Sequence, residues 1–167
     1  MIQVYTGNGK GKTTVALGLS LRAAGAGQNV FIGQFIKGKC YSELSALKKF
    51  KNIKVEQFGR GCFIKKSPAK IDFALAQKGL NKIKKVIAQG KFGLIVLDEV
   101  NVALDLGLLN SKEVIETLKA APKKTEIVLT GRNAPAQIIK IADLVSSIQE
   151  IKHYYRSGVK CRRGIEF

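Results

Sequence analysis

VYTGNGKGKTT, residues 4–14, is the stretch from which the fold is read. Its first letters belong to a short apolar run, IQVYT (2–6), rich in β-formers. Its last letters open TTVALGLSLRAAG (13–25), whose apolar residues recur at helical spacing, with Gly25 and Gly27 as stop signals. A strand that passes through a glycine-rich turn into a helix aims backbone N–H groups and the positive end of that helix at an anion. Gly7, Gly9 and Gly11 allow the tight turn, Lys12 supplies a point charge for phosphates, and Thr13 supplies a hydroxyl for magnesium. The strict phosphate-loop pattern asks for glycine five places before Gly11. Thr6 stands there, so the match is Gly-Lys-Thr with two further glycines.

Outward from this turn, strands and helices alternate. NVFIGQFI (29–36) and IKVEQF (53–58) read as strands flanking a short helix, SELSALKKF (42–50). Residues 69–90 form a long amphipathic helix closed by Gly90. FGLIVLDE (92–99) and TEIVLTGR (125–132) are near-continuous apolar runs, read as buried strands. Between them, 111–122 is predicted as a helix with Ser111 as its N-cap. A helix over 134–142 and an extended strand over 144–155 complete the series. Strands without internal alternation, separated by helices, indicate a mostly parallel sheet covered on both faces. The expectation is an α/β, three-layer P-loop NTPase fold of the RecA-like kind, as one domain over 1–167.

Bulk composition narrows the class. With 167 residues, 46% of them hydrophobic and 25% charged, the chain can bury a full core. No apolar run reaches the roughly 20 residues of a membrane span. Met1 leads straight into strand one, which leaves no room for a signal peptide. Cys40, Cys62 and Cys161 are odd in number and lack Cys-x-x-Cys spacing, against a disulfide framework or a zinc ribbon. A cytoplasmic protein with reduced thiols is expected. The net charge of +17 is most concentrated between Lys37 and Lys70, where ten Lys or Arg face only Glu43 and Glu56. Such charge attracts polyanions. However, neither an RNP-type motif nor an arginine-rich arm is present. Solvated surface lysines come first as an explanation, a basic mouth for an anionic substrate second, and nucleic acid third.

In an open α/β sheet the binding crevice lies outside the carboxyl ends of the strands. Asp98 and Glu99 end an apolar strand in the manner of a Walker B segment, where a carboxylate completes magnesium binding. An N-cap for the following residues is the plainer reading of Asp98. Arg132, beyond the strand ending at Thr130, can reach a triphosphate with two hydrogen bonds at once or serve a surface salt bridge. His153, the only histidine, has no acid or Cys at catalytic spacing and reads as structural. Without a Ser-His-Asp set or a dinucleotide fingerprint, the residues alone lead to a magnesium-nucleotide-binding α/β enzyme. A RecA-like ATPase that binds nucleic acid and a nucleoside kinase both share these features.

The stretches VYTGNGKGKTT, QFIKG (34–38), FGRGCF (58–63), LIVLDEV (94–100), LTGRNAP (129–135), ADLVS (142–146) and KHYYRSGVKCRRGIEF (152–167) occur together and in order. In this the chain resembles the ATP:corrinoid adenosyltransferases of the P-loop type over essentially its whole length. The resemblance implies that ATP and a reduced corrinoid are substrates. The corrinoid's Co(I) attacks the ribose 5′ carbon and the whole triphosphate leaves, with Mg2+ or Mn2+ as metal cofactor. It implies that Gly7, Asn8, Gly9, Lys10, Gly11, Lys12, Thr13 and Thr14 hold the nucleotide. Lys12, Arg132 and Glu99 carry catalysis, and Thr13, Asp98 and Glu99 serve the metal. Glu43 is placed near the nucleotide sugar and Phe63 near the corrinoid. A homodimer and a flavoprotein reductant are the implied partners, without nucleic acid or membrane.

Two departures from the family pattern stand out. Some members carry a Phe-x-Trp pair that helps displace the lower cobalt ligand. Here the stretch is Gly61-Cys62-Phe63-Ile64, and the chain has no Trp. Members with longer N-termini also have a leading segment over the site, whereas strand one opens this sequence. An open site, or one closed by a partner subunit, is the expectation.

Overall fold

The structure, a computed structural model, describes residues 1–39, 41–61 and 67–167. Among these residues six strands form one sheet: β1 (Ile2–Thr6), β2 (Val30–Lys37), β3 (Ile53–Gly61), β4 (Leu94–Asp98), β5 (Glu126–Thr130) and β6 (Leu144–Ser147). Their order is β3-β2-β4-β5-β1-β6, and every neighbouring pair is parallel. Six helices connect them: α1 (Lys12–Gly25), α2 (Ser42–Leu47), α3 (Lys70–Gln89), α4 (Val100–Asp105), α5 (Ser111–Lys119) and α6 (Ala136–Ile141). The expected α/β architecture holds, with the sheet wholly rather than mostly parallel.

Successive residues of the central strands point to opposite faces, and both faces are dry. Phe31, Phe35, Ile95, Leu97, Ile127 and Leu129 pack with Leu80 and Ile83 of α3, Val114 of α5 and Ile138 of α6. Val30, Ile32, Leu94, Val96 and Val128 pack on the other face with Ala16 of α1 and Leu47 of α2. This burial on both faces explains why the strands read as unbroken apolar runs. The sheet order also places β5 between β1 and β4, so the phosphate turn after β1 and the acids ending β4 flank the end of β5.

Local sequence accounts for the helix boundaries. α3 starts where the Asp72 carboxylate accepts the Ala69 N–H (2.9 Å) and stops at Gly90, which is left-handed at φ 59°. The N-cap of α5 is Asn110 rather than the predicted Ser111; the Asn110 side chain accepts N–H bonds from Lys112 and Glu113. No element is predicted over 100–110, yet α4 forms there with Ala103 and Leu104 buried in the core. The final strand is far shorter than 144–155. β6 can pair only with β1, whose last partner is Thr6; past Ser147 only Ile148 still bonds to it and to the turn that follows, through the Thr6 carbonyl and the Gly9 N–H. The chain then leaves the sheet and makes a 3-10 turn at Tyr154–Ser157.

One irregularity lies at the end of β2. Ile36 has φ 66°, a left-handed conformation that a β-branched side chain rarely adopts, and the β2–β3 register shifts between Phe35 and Lys37. The opposing strand makes room for this kink with Gly59, where an added Cβ would lie 2.1 Å from both the carbonyl carbon and oxygen of Ile36. Gly59→Ala is therefore expected to lower stability by about 3 kcal/mol, the upper end for an overpacked site. Urea unfolding measures it, and a loss below half that figure would mean the kink relaxes freely.

Candidate active site

The carboxyl ends of β1, β2, β4 and β5 converge on one crevice. The turn after β1 depends on Gly7, at φ 94°, where an added Cβ would meet the Ile148 carbonyl oxygen at 2.4 Å. Ile148, just past β6, also accepts the Gly9 N–H at 2.8 Å, so the segment that leaves the sheet braces the turn from outside. Lys12, only 7% exposed, folds back over the turn and donates from Nζ to the Gly7 and Gly9 carbonyls, each at 2.7 Å. Burial lowers its pKa, as does the nearby Arg132 charge, while Glu99 opposes the shift. Asn8, Lys10 and Thr14 are exposed on the same turn and helix start.

Asp98 is the hub of the crevice. Its Oδ1 accepts hydrogen bonds from Thr13 Oγ1 (3.0 Å) and Thr130 Oγ1 (2.6 Å). Its Oδ2 accepts from Gln34 Nε2 (3.2 Å) and Lys37 Nζ (2.8 Å). Gln34 is held in turn by Gln57 at 3.0 Å. This fully bonded carboxylate thus links β1's turn, β2, β4 and β5, and it is not the N-cap of α4. That position belongs to Glu99, at φ 60°, whose N–H donates to Thr130 Oγ1 at 2.9 Å. The Glu99 carboxylate makes no hydrogen bond or ion pair within the described residues. Burial, and then the neighbouring Asp98 charge, push its pKa up; Lys37, Lys12 and Arg132 pull the other way. The left-handed backbone and the unpaired, half-buried acid fall on the same residue, as they do at functional sites.

These donors fit a magnesium ion that arrives with a nucleotide. One hydroxyl and two carboxylates are hard oxygen ligands, and Mg2+ commonly takes one or two carboxylates alongside phosphate oxygens and water. No cluster of three or more His, Cys, Asp or Glu able to hold a metal occurs among the described residues.

The remaining predicted residues are arranged around this hub. Arg132 is exposed just past β5, close enough for its charge to act on Lys12 and Glu99. Glu43, in the first turn of α2, acts electrostatically on Lys37. Phe63 lies outside the described residues. His153, read from the sequence as structural, caps the 3-10 turn: its Nδ1 accepts the Tyr155 N–H at 3.1 Å. Lys10 donates to Tyr154 Oη (2.6 Å) and Glu166 Oε1 (2.8 Å). Arg162 joins the same acid, and Tyr154 also bonds it. The lysine and arginine pairings and the tyrosine hydroxyl hold the Glu166 carboxyl far below the usual range.

Sequence reasoning missed Gln34, Lys37, Thr130 and the Tyr154–Glu166 pair. Gln34 had a signal, as the one uncharged polar side chain inside the apolar strand VFIGQFIK.

Comparison with known proteins finds relatives over the whole chain. The family model described as "ATP:corrinoid adenosyltransferase BtuR/CobO/CobP" matches residues 1–167. A "Corrinoid adenosyltransferase" of Sinorhizobium sp is 37% identical over 171 residues, covering 100% of this chain and 80% of the relative. One from Pseudomonas aeruginosa is 34% identical over 169 residues, covering 100% and 83%. "Corrinoid adenosyltransferase CobA" of Salmonella typhimurium is 34% identical over 167 residues, covering 100% and 85%. With its full length matched, the chain belongs to the ATP:corrinoid adenosyltransferase family.

Proposed function

We propose that this protein transfers the 5′-deoxyadenosyl group of ATP to the Co(I) centre of a reduced corrinoid and releases triphosphate, in adenosylcobalamin synthesis or salvage. The observation that carries the reading is the family match over residues 1–167, in a chain whose phosphate turn faces Asp98 and Glu99 across one crevice.

The chemistry suits these residues. Cobalt supplies the electron pair that forms the new bond to C5′. The C5′–O bond breaks, and its electrons stay on the departing triphosphate. The nucleophile needs no deprotonation, so the protein's task is to hold ATP and spread the charge of the leaving group. Backbone N–H groups and side chains of residues 7–14 would grip the triphosphate, with Lys12 and Arg132 as its cationic partners. Such preorganised donors contribute about 3–4 kcal/mol apiece where one is critical. Thr13, Asp98 and Glu99 would hold Mg2+ or Mn2+, which supplies Lewis-acid charge to the phosphate oxygens when bound. Glu43 faces the sugar in this reading, and Phe63 the corrinoid. It also comprises a single P-loop domain, a cytoplasmic homodimer and a flavoprotein source of electrons, with no role for nucleic acid. Among the described residues no helix is long and apolar enough to cross a membrane.

The test is the identity of the phosphate product. Anaerobic incubation with Mg-ATP and chemically reduced cob(I)alamin should yield intact triphosphate and a light-sensitive adenosyl–cobalt spectrum. ADP with inorganic phosphate and an unchanged corrinoid would overturn the reading.

A further inference from the structure

The kink at Ile36 has one evident effect: it turns Lys37 into the crevice. In a regular strand, side chains alternate, and Lys37 would face away from Gln34. With Ile36 left-handed and the register shifted, Gln34 Nε2 and Lys37 Nζ both reach Asp98 Oδ2. Gly59 and Gly38 admit the kink: an added Cβ on Gly38 would lie 2.1 Å from the Gly59 carbonyl oxygen, as one on Gly59 would from Ile36. A strained residue, a register shift and two close backbone approaches therefore converge on the placement of one ammonium.

The place it reaches is specific. Lys37 Nζ stands 2.8 Å from Asp98 Oδ2 and 3.2 Å from Thr13 Oγ1, two of the oxygens that would serve a divalent cation. It lies 5.5 Å from the Tyr41 ring centroid, within the field of Glu99 and Glu43. Its side chain is 12% exposed and that of Asp98 is 1% exposed, so the pair is largely screened from bulk water.

We propose that Lys37 is the site's own cation, seated between Thr13 and Asp98 so that bare metal is refused and a metal–triphosphate is accepted. A free divalent ion must displace the ammonium and offers it nothing in return. A metal–triphosphate brings anionic oxygens onto which the ammonium can move, so Lys37 gives up its bonds to Thr13 and Asp98 without becoming unpaired. The charge of Asp98 is thereby compensated in both states. This inference rests on the metal–triphosphate reading of the site.

Mn2+ serves as the probe, with free ion counted by electron paramagnetic resonance. Without nucleotide, Lys37→Met should bind Mn2+ at least about tenfold more tightly than the wild type, because removing a close cation strengthens attraction to the acids. Lys39→Met, two residues away and exposed, should leave the affinity unchanged. With ATP present, the gap between Lys37→Met and wild type should shrink. Should the methionine variant fail to fold by thermal melting, Lys37→Gln carries the same test. Equal Mn2+ affinity in Lys37→Met and wild type would overturn the proposal while leaving the site reading intact. So would an equal gain in Lys39→Met, which would show a general charge effect. If neither protein binds Mn2+ even with ATP, the metal–triphosphate reading itself fails and the proposal with it.

Discussion

Lys12→Ala is expected to lower kcat/KM for ATP by about a thousandfold, equivalent to about 4 kcal/mol of lost transition-state stabilisation. Two contributions vanish together. One is the cation that the proposed function assigns to the departing triphosphate. The other is the pair of 2.7 Å bonds by which Nζ ties the Gly7 and Gly9 carbonyls, so the turn itself loosens. Lys12→Arg should not rescue activity, because a planar guanidinium cannot replace a compact ammonium between two carbonyls of one tight turn. Steady-state kinetics with thermal melts of each variant separates the two contributions. Near-wild-type turnover in Lys12→Ala would refute the assigned role.

Glu99→Gln should move activity and stability in opposite directions. Turnover is expected to fall about a hundredfold or more, the scale of the several kcal/mol that a bound cation contributes to charge stabilisation. Stability without ligand should rise at neutral pH. Burial and Asp98 raise the Glu99 pKa, so the folded chain binds that proton more tightly than the unfolded chain. Stability then declines as pH climbs from the ordinary carboxylate range through the raised value. The glutamine variant lacks that decline. Its melting temperature should exceed the wild type's at pH 7 and converge with it near pH 4. A variant less stable than wild type at pH 7 would show that the carboxylate is compensated in the folded state.

How much of this was legible in the sequence follows a physical division. The phosphate turn, the Asp-Glu strand end and the alternation of strands with helices were readable because each depends on neighbouring residues. Glycine placement, apolar runs and helical spacing are local properties. The placement of Lys37 was not readable, since a period-of-two pattern points it away from Gln34, and only the left-handed Ile36 reverses that. Tertiary pairing also decided the fate of 148–155. These residues have strand-like composition, but β1 offers no partner beyond Thr6, and composition cannot reveal where a neighbour ends. The Lys10–Glu166 bond joins residues 156 positions apart, beyond any local signal.

The position of β1 in the sheet has a consequence for synthesis on the ribosome. β1 emerges first, yet both its neighbours, β5 and β6, are more than a hundred residues downstream. Until residues 126–147 are free to pair, the strand leading into the phosphate turn has no lateral partner, and Ile148 cannot brace Gly7 and Gly9. Nucleotide can therefore act as a folding ligand only late in translation. Nascent chains stalled before β5 should stay sensitive to protease whatever the ATP concentration, and protection should switch on as β6 clears the exit tunnel.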